Sequence, residues 1–172
     1  VSVDVTWLAW QSMAAQGNAS DAELAAALAA DETATGRMAH LQALMSRPET
    51  AVKEEAWARA HTVGGETNEA VDALMAGFGT PGQDALREPF AARYFEHLTE
   101  MWRDQPIEIA LRLVHGGFPA DGVEAGHRWL REHPAAPAPL RRLVREELYE
   151  AEVAAHVRSA NAVRMPRRGP HR

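Results

Sequence analysis

Three groupings in this sequence combine residue types that could do chemistry. Gly77-Phe78-Gly79-Thr80-Pro81-Gly82 spells G-x-G-x-x-G, the fingerprint of a dinucleotide loop. That chemistry needs a strand before the glycines and a helix after them, so that the pyrophosphate meets a helix N-terminus. The residues before Gly77 repeat with a helical period, and no β-α-β unit can be assembled anywhere in the chain. The glycines read instead as a helix C-cap followed by a turn. Glu124 and His127 match the Glu-x-x-His pair of di-iron bundles. Such a site needs a second copy and two further inward glutamates, and no other His here follows a Glu at that spacing. His97 lies near Glu96 and Glu100, which is ordinary on a solvated helical face. No H-E-x-x-H and no G-x-S-x-G occurs, so neither a two-His metallopeptidase site nor a nucleophile elbow is encoded in this stretch.

The third grouping is cationic. Arg141, Arg142 and Arg145 precede Glu146 and Glu147 at the start of the last helical segment. Guanidinium groups facing a groove could hold peptide carboxylates bidentately. The plainer reading is a surface ladder of i, i+4 ion pairs.

Composition narrows the class. The chain has 172 residues, 46% hydrophobic and 24% charged, as in a globular domain with a substantial core. A net charge of −6 argues against a nucleic-acid partner. No apolar run reaches the roughly 20 residues that span a bilayer, so no membrane partner is expected. The start, VSVDVTWLAW, lacks both a Met and the basic n-region of a signal peptide, and reads as a piece of a larger chain. Zero Cys excludes disulfides and thiolate metal sites and fits a reducing, cytoplasmic location. Lys53 is the sole lysine beside an abundance of arginine.

The elements that must position these residues are helical throughout. A first helix spans about 3–16 with Val3, Trp7, Trp10 and Ala14 along one side. Ser20 with Glu23 forms a capping box that opens a second helix to about residue 30. A third starts near Thr33 and stops before Pro48, and a fourth covers about 49–62 with Val52, Ala56, Trp57 and Ala60 inward. A fifth, 68–77, places Val71, Leu74, Met75 and Phe78 at i, i+3, i+4 and i+7. The long sixth helix, 83–102, carries Phe90, Tyr94, Leu98 and Trp102 four apart, a stripe expected to be buried. Pro106 then opens, at its N1 position, a seventh helix whose IEIALRLV is apolar on nearly every side and reads as deeply buried. Segments at about 121–132 and 140–162 complete the set, the last with Leu140, Leu143, Val144, Leu148, Ala151 and Ala155 inward. Five Trp suit a core, with one or two marking an interface. Eight or nine helices with short Gly/Pro breaks predict an all-α fold. The expected architecture is an irregular array of antiparallel helix pairs, a HEAT- or armadillo-like α-solenoid over 1–163. Residues 164–172, with four Arg and no acid, read as a basic, disordered tail.

Several segments taken in order resemble the C-terminal helical domain of bacterial aminopeptidase N, a zinc metallopeptidase family. They are Asp4 and Trp7-Leu8, then Asp31-x-Thr33-x-x-Gly36-Arg37, then Pro48, Lys53, Ala56-Trp57 and Asn68. The pattern continues through Gly77-Phe78, Gln83, Leu86, Arg93-Tyr94-Phe95 and Trp102 to Phe118-Pro119 and Leu140-Arg141-Arg142. Thr6 departs from it, standing where an Arg is expected. The resemblance implies a non-catalytic domain that covers an active-site chamber and controls substrate access. The zinc and the water-activating Glu then lie in a catalytic domain outside this chain, which has no cofactor of its own. Partners would be the N-terminal and catalytic domains of the same parent, and peptide substrates. Arg93, Tyr94, Arg141 and Arg142 are the candidates for lining the chamber or an interdomain contact. The alternative is an independent helical-repeat scaffold that binds protein or peptide.

Overall fold

The structure is a computed structural model that describes residues 3–164 and the side chains of 5–160; the tail expected over 164–172 lies almost wholly outside them. Among the described residues there are nine α-helices and no strand. They are α1 (Val3–Ala15), α2 (Asp21–Ala29), α3 (Ala34–Met45), α4 (Thr50–His61), α5 (Asn68–Phe78), α6 (Asp84–Asp104), α7 (Ile107–Gly117), α8 (Val123–Glu132) and α9 (Ala138–Arg164). The fold is all-α, as the periodicity requires.

Helix starts follow local side-chain chemistry. Ser20 accepts from the Glu23 amide while the Glu23 carboxylate accepts from the Ser20 amide at 2.9 Å, so α2 opens on the expected capping box. Thr33 and Thr67 cap α3 and α5 through Gly36 and Ala70. Each cap contributes about 1 kcal/mol by satisfying an amide that the helix cannot. Pro106 is the N-cap of α7 rather than its first residue; it has ψ 142°, an extended value that places it one step before the helix.

The chain divides into two compact units, Val1–Pro119 and Ala120–Arg172. In the first, α3 packs on both α1 and α5, and α5 packs on α7, so alternate helices lie side by side in a row. Helices α2, α4 and α6 form the second tier, α2 on α3, α4 on α5, and α6 on α4 and α7. That is the neighbour-to-neighbour packing of a helical repeat. The second unit is the pair α8 and α9, with Trp129, Leu140, Val144 and Leu148 buried.

Two sequence expectations shift. Phe90, Tyr94 and Leu98 are buried, but Met101 takes the place expected of Trp102, which is only half-buried. Residues four apart advance 40° beyond a full turn, so a fourth member of such a row rotates off the core while i+3 returns to it. The seventh helix is not buried all round. Ile109, Ala110, Leu113 and Val114 face inward, while Ile107 is 53% and Leu111 37% exposed. Neighbours cover only one side of α7, and its second apolar side stays in water.

Candidate functional site

The four sequence candidates occupy two places. Arg93 and Tyr94 are neighbours on α6; Arg141 and Arg142 are neighbours on α9. Adjacent helical residues point about 100° apart, so each pair splits into one outward and one inward role.

Arg93 is half-exposed and spans α6 and α4. Its Nη1 donates to both carboxylate oxygens of Glu54 at 2.9 Å. Its guanidinium carbon lies 4.9 Å from the centre of the Phe90 ring and 5.8 Å from that of Trp57. Trp57 stacks on His61 at 4.0 Å and meets Phe78 and Phe90 at 5.5 and 5.3 Å. Burial holds the His61 imidazole below its usual range, and the charges of Arg93 and His97 push the same way. His61 is therefore neutral at physiological pH, with Nδ1 2.8 Å from the Trp57 carbonyl. The result is a cation paired with Glu54 and a neutral imidazole, both laid over a buried aromatic base.

Tyr94 points the other way. It is buried, its hydroxyl donates to the Val114 carbonyl at 2.8 Å, and its ring meets Phe95 and Phe118 edge-on. It pins α6 to α7. Arg141 donates to the carbonyls of Leu130, at 2.8 Å, and His133, which closes the C-terminal end of α8. Arg142 is mostly exposed and pairs with Glu146 at 2.8 Å, the i, i+4 ladder. His127 of the Glu-x-x-His pair meets Glu152 of α9 at 2.8 Å. Gly77 and Gly79 sit at the end of α5, so the G-x-G-x-x-G run is a helix terminus and a turn. Among the described residues, no group of three or more His, Asp or Glu could hold a metal.

A residue the sequence reading did not place proves central. Lys53 is wholly buried on α4, and its ammonium donates to the carbonyls of Met45 at 2.8 Å and Gly77 at 2.7 Å. Those are the last residue of α3 and the penultimate residue of α5. Beside it the Gln83 amide donates to Ala15, the last residue of α1, at 3.0 Å and to Ser46 at 2.8 Å. Thr80 adds a bond to Gly77 at 2.7 Å. Three helix C-termini thus deliver their partly negative carbonyls to one cation and two neutral donors. Burial, reinforced by the charge of Arg87, brings the Lys53 pKa down from 10.5 to about 8. A signal was present in the sequence. Lys53 stands three residues before Ala56 and four before Trp57, on the stripe that faces the core.

Two open grooves lie on the first unit among the described residues. One of about 790 Å³ lies along α3 and α5, with Arg37, Met38, Gln42, Thr67, Glu69 and Asp72 among its walls. Another of about 520 Å³ lies between α1 and α2, lined by Trp7, Trp10, Glu23, Ala27, Ala30 and Asp31 among others.

The chain as a whole is similar to known proteins. The family model of the ERAP1-like C-terminal domain matches residues 1–152. Aminopeptidase N of Streptomyces lividans is 33% identical over 168 residues, covering 94% of this chain and 19% of that protein. The chain thus spans about a fifth of the length of that relative.

Proposed function

Because the chain belongs to the ERAP1-like C-terminal domain family, we propose that it is the non-catalytic helical domain of a cytoplasmic zinc aminopeptidase N. In this reading the helical array covers the chamber in which N-terminal residues are removed from peptides, and limits what enters it. The parent's N-terminal and catalytic domains and its peptide substrates are the partners. The observation that carries the reading is the family match across residues 1–152, together with 33% identity to an aminopeptidase N.

The physics is compatible with a cover and supplies no hydrolytic step. The described residues do not fit a zinc ion, since their one Glu-x-x-His pair is engaged with Glu152 and no third ligand converges on it. The metal and the groups that activate water belong to the catalytic domain. A packed helical tier instead offers an extended, rigid wall. Such a wall excludes water and commits substrate once the chamber closes, and so can change turnover without contributing a catalytic group. No described helix is long and apolar enough to cross a membrane.

The test is the full-length parent enzyme with and without this segment, assayed on an aminoacyl anilide and on the N-terminus of a folded protein. Removal should raise hydrolysis of the folded substrate relative to the anilide. An unchanged ratio overturns the access role. Should the truncated enzyme fail to fold, Arg93→Ala and Arg142→Ala in the intact enzyme probe the same ratio across a peptide-length series. A ratio unchanged in both variants removes these residues from the chamber wall.

A further inference from the structure

Helices α1 and α2 are consecutive, yet each packs more closely on α3 than on the other. They are held apart, and the space between them is the groove of about 520 Å³. Its floor is apolar, made of Trp7, Trp10, Ala26, Ala27 and Ala30. At its rim stand two carboxylates, Glu23 and Asp31. Both are fixed in place: Asp31 accepts from Trp7 Nε1 at 2.8 Å and from the Thr33 hydroxyl at 2.7 Å, and Glu23 is held by Ser20. Those bonds lower the pKa of each carboxyl group, so both are ionised at neutral pH. Among the described residues neither has a cationic partner in an ion pair.

An apolar floor between two helices that are held apart has the shape of a helix-in-groove contact. We propose that the α1–α2 groove seats an amphipathic helix from another part of the same parent polypeptide, with an apolar side chain on Trp10 and Ala27 and an Arg or Lys beside Glu23 and Asp31. Two observations select this occupant. The unmatched negative rim calls for a cation next to the apolar anchor. The related aminopeptidase is about five times the length of this chain, so the parent has ample chain to supply the helix. A row built from helices that each lean on a neighbour is also continued most simply by one more helix. The proposal rests on the reading of this chain as part of a larger aminopeptidase.

The experiment places the photocrosslinking residue p-benzoylphenylalanine at Ala30 in the full-length parent, with Ala25, exposed and outside the groove, as the control. The expected result is an intrachain crosslink from Ala30 alone, mapped by mass spectrometry to a helix outside residues 1–172 that carries Arg or Lys. Its yield should fall at least about twofold in 1 M salt, where the Debye length shrinks to about 3 Å. A crosslink between two copies, or none from Ala30, overturns the proposal, and a salt-independent yield overturns the charged contact. Aminopeptidase activity of the same preparation is measured separately. An inactive parent sinks the enzymatic reading, while the crosslink still decides the groove.

Discussion

The Lys53 ammonium lies 2.7 Å from the carbonyl oxygen of Gly77, a residue 24 positions away and at the far end of the next helix. That bond joins α4 to the terminus of α5, and its companion to Met45 joins α4 to the terminus of α3. A strongly hydrated charge is thus used where a helix-repeat core would ordinarily hold an aliphatic side chain.

Replacing this cation should cost stability although Met fills the same volume. Lys53→Met leaves the Met45 and Gly77 carbonyls without their charged donor, a loss of about 1–3 kcal/mol. Urea denaturation should show a lower midpoint with an unchanged slope. Lys53→Glu would set a carboxylate against helix carbonyl ends and should prevent folding.

The same residue imposes a pH dependence of definite sign. Its pKa is about 8 in the fold against 10.5 ordinarily. Below pH 8 both states are protonated, and the folded state carries the full cost of a buried ammonium. Between about pH 8 and 10.5 the unfolded chain binds more protons, so stability rises with pH by up to about 3 kcal/mol. The stability difference between wild type and Lys53→Met should widen across that window. A flat difference would mean that the ammonium is not depressed.

Close approach of α3 and α5 depends on a missing side chain. A Cβ at Gly77 would come within 2.4 Å of the Met45 Cβ and 2.9 Å of the Gln42 carbonyl oxygen. At Gly126 the nearest atoms all belong to the Leu148 side chain, Cδ2 at 2.8 Å and Cγ at 3.1 Å, which can shift more readily than backbone. Gly77→Ala should therefore lower stability by about 1–3 kcal/mol, with a smaller loss for Gly126→Ala. Thermal melts of the two variants rank them, and the reverse order would contradict the packing described for α5.

Arg141 and Arg142 should separate by role. Arg141→Ala leaves two carbonyls at the end of α8 without their charged donor and should cost about 1–3 kcal/mol. Arg142→Ala breaks only an exposed i, i+4 pair and should change stability by less than about 0.5 kcal/mol. Chemical denaturation of both variants decides this.

Much of the architecture was readable from residue spacing. The Ser20–Glu23 box, the Thr33 start and the stripe Val71, Leu74, Met75 and Phe78 are local, and local chemistry is written in short windows. The departures arise from neighbours. Trp102 lost its place to Met101 because a row of residues four apart drifts round the helix. Ile107 and Leu111 stayed in water because helices cover α7 on one side. For the candidate residues, sequence gave identity and not direction. Arg93 and Tyr94 look equivalent in a string, yet one spreads over an aromatic surface and the other is sealed between α6 and α7. The α1–α2 groove is invisible in sequence because it depends on both helices leaning on a third.

Because the only lysine of this sequence is sealed inside the first unit, every side-chain cation that its surface keeps at all pH values is a guanidinium. Enzymes that acetylate lysines or attach protein tags to them find no substrate amine here until the fold opens. Modification of Lys53 would thus record an opening event and could not serve as an ordinary surface mark.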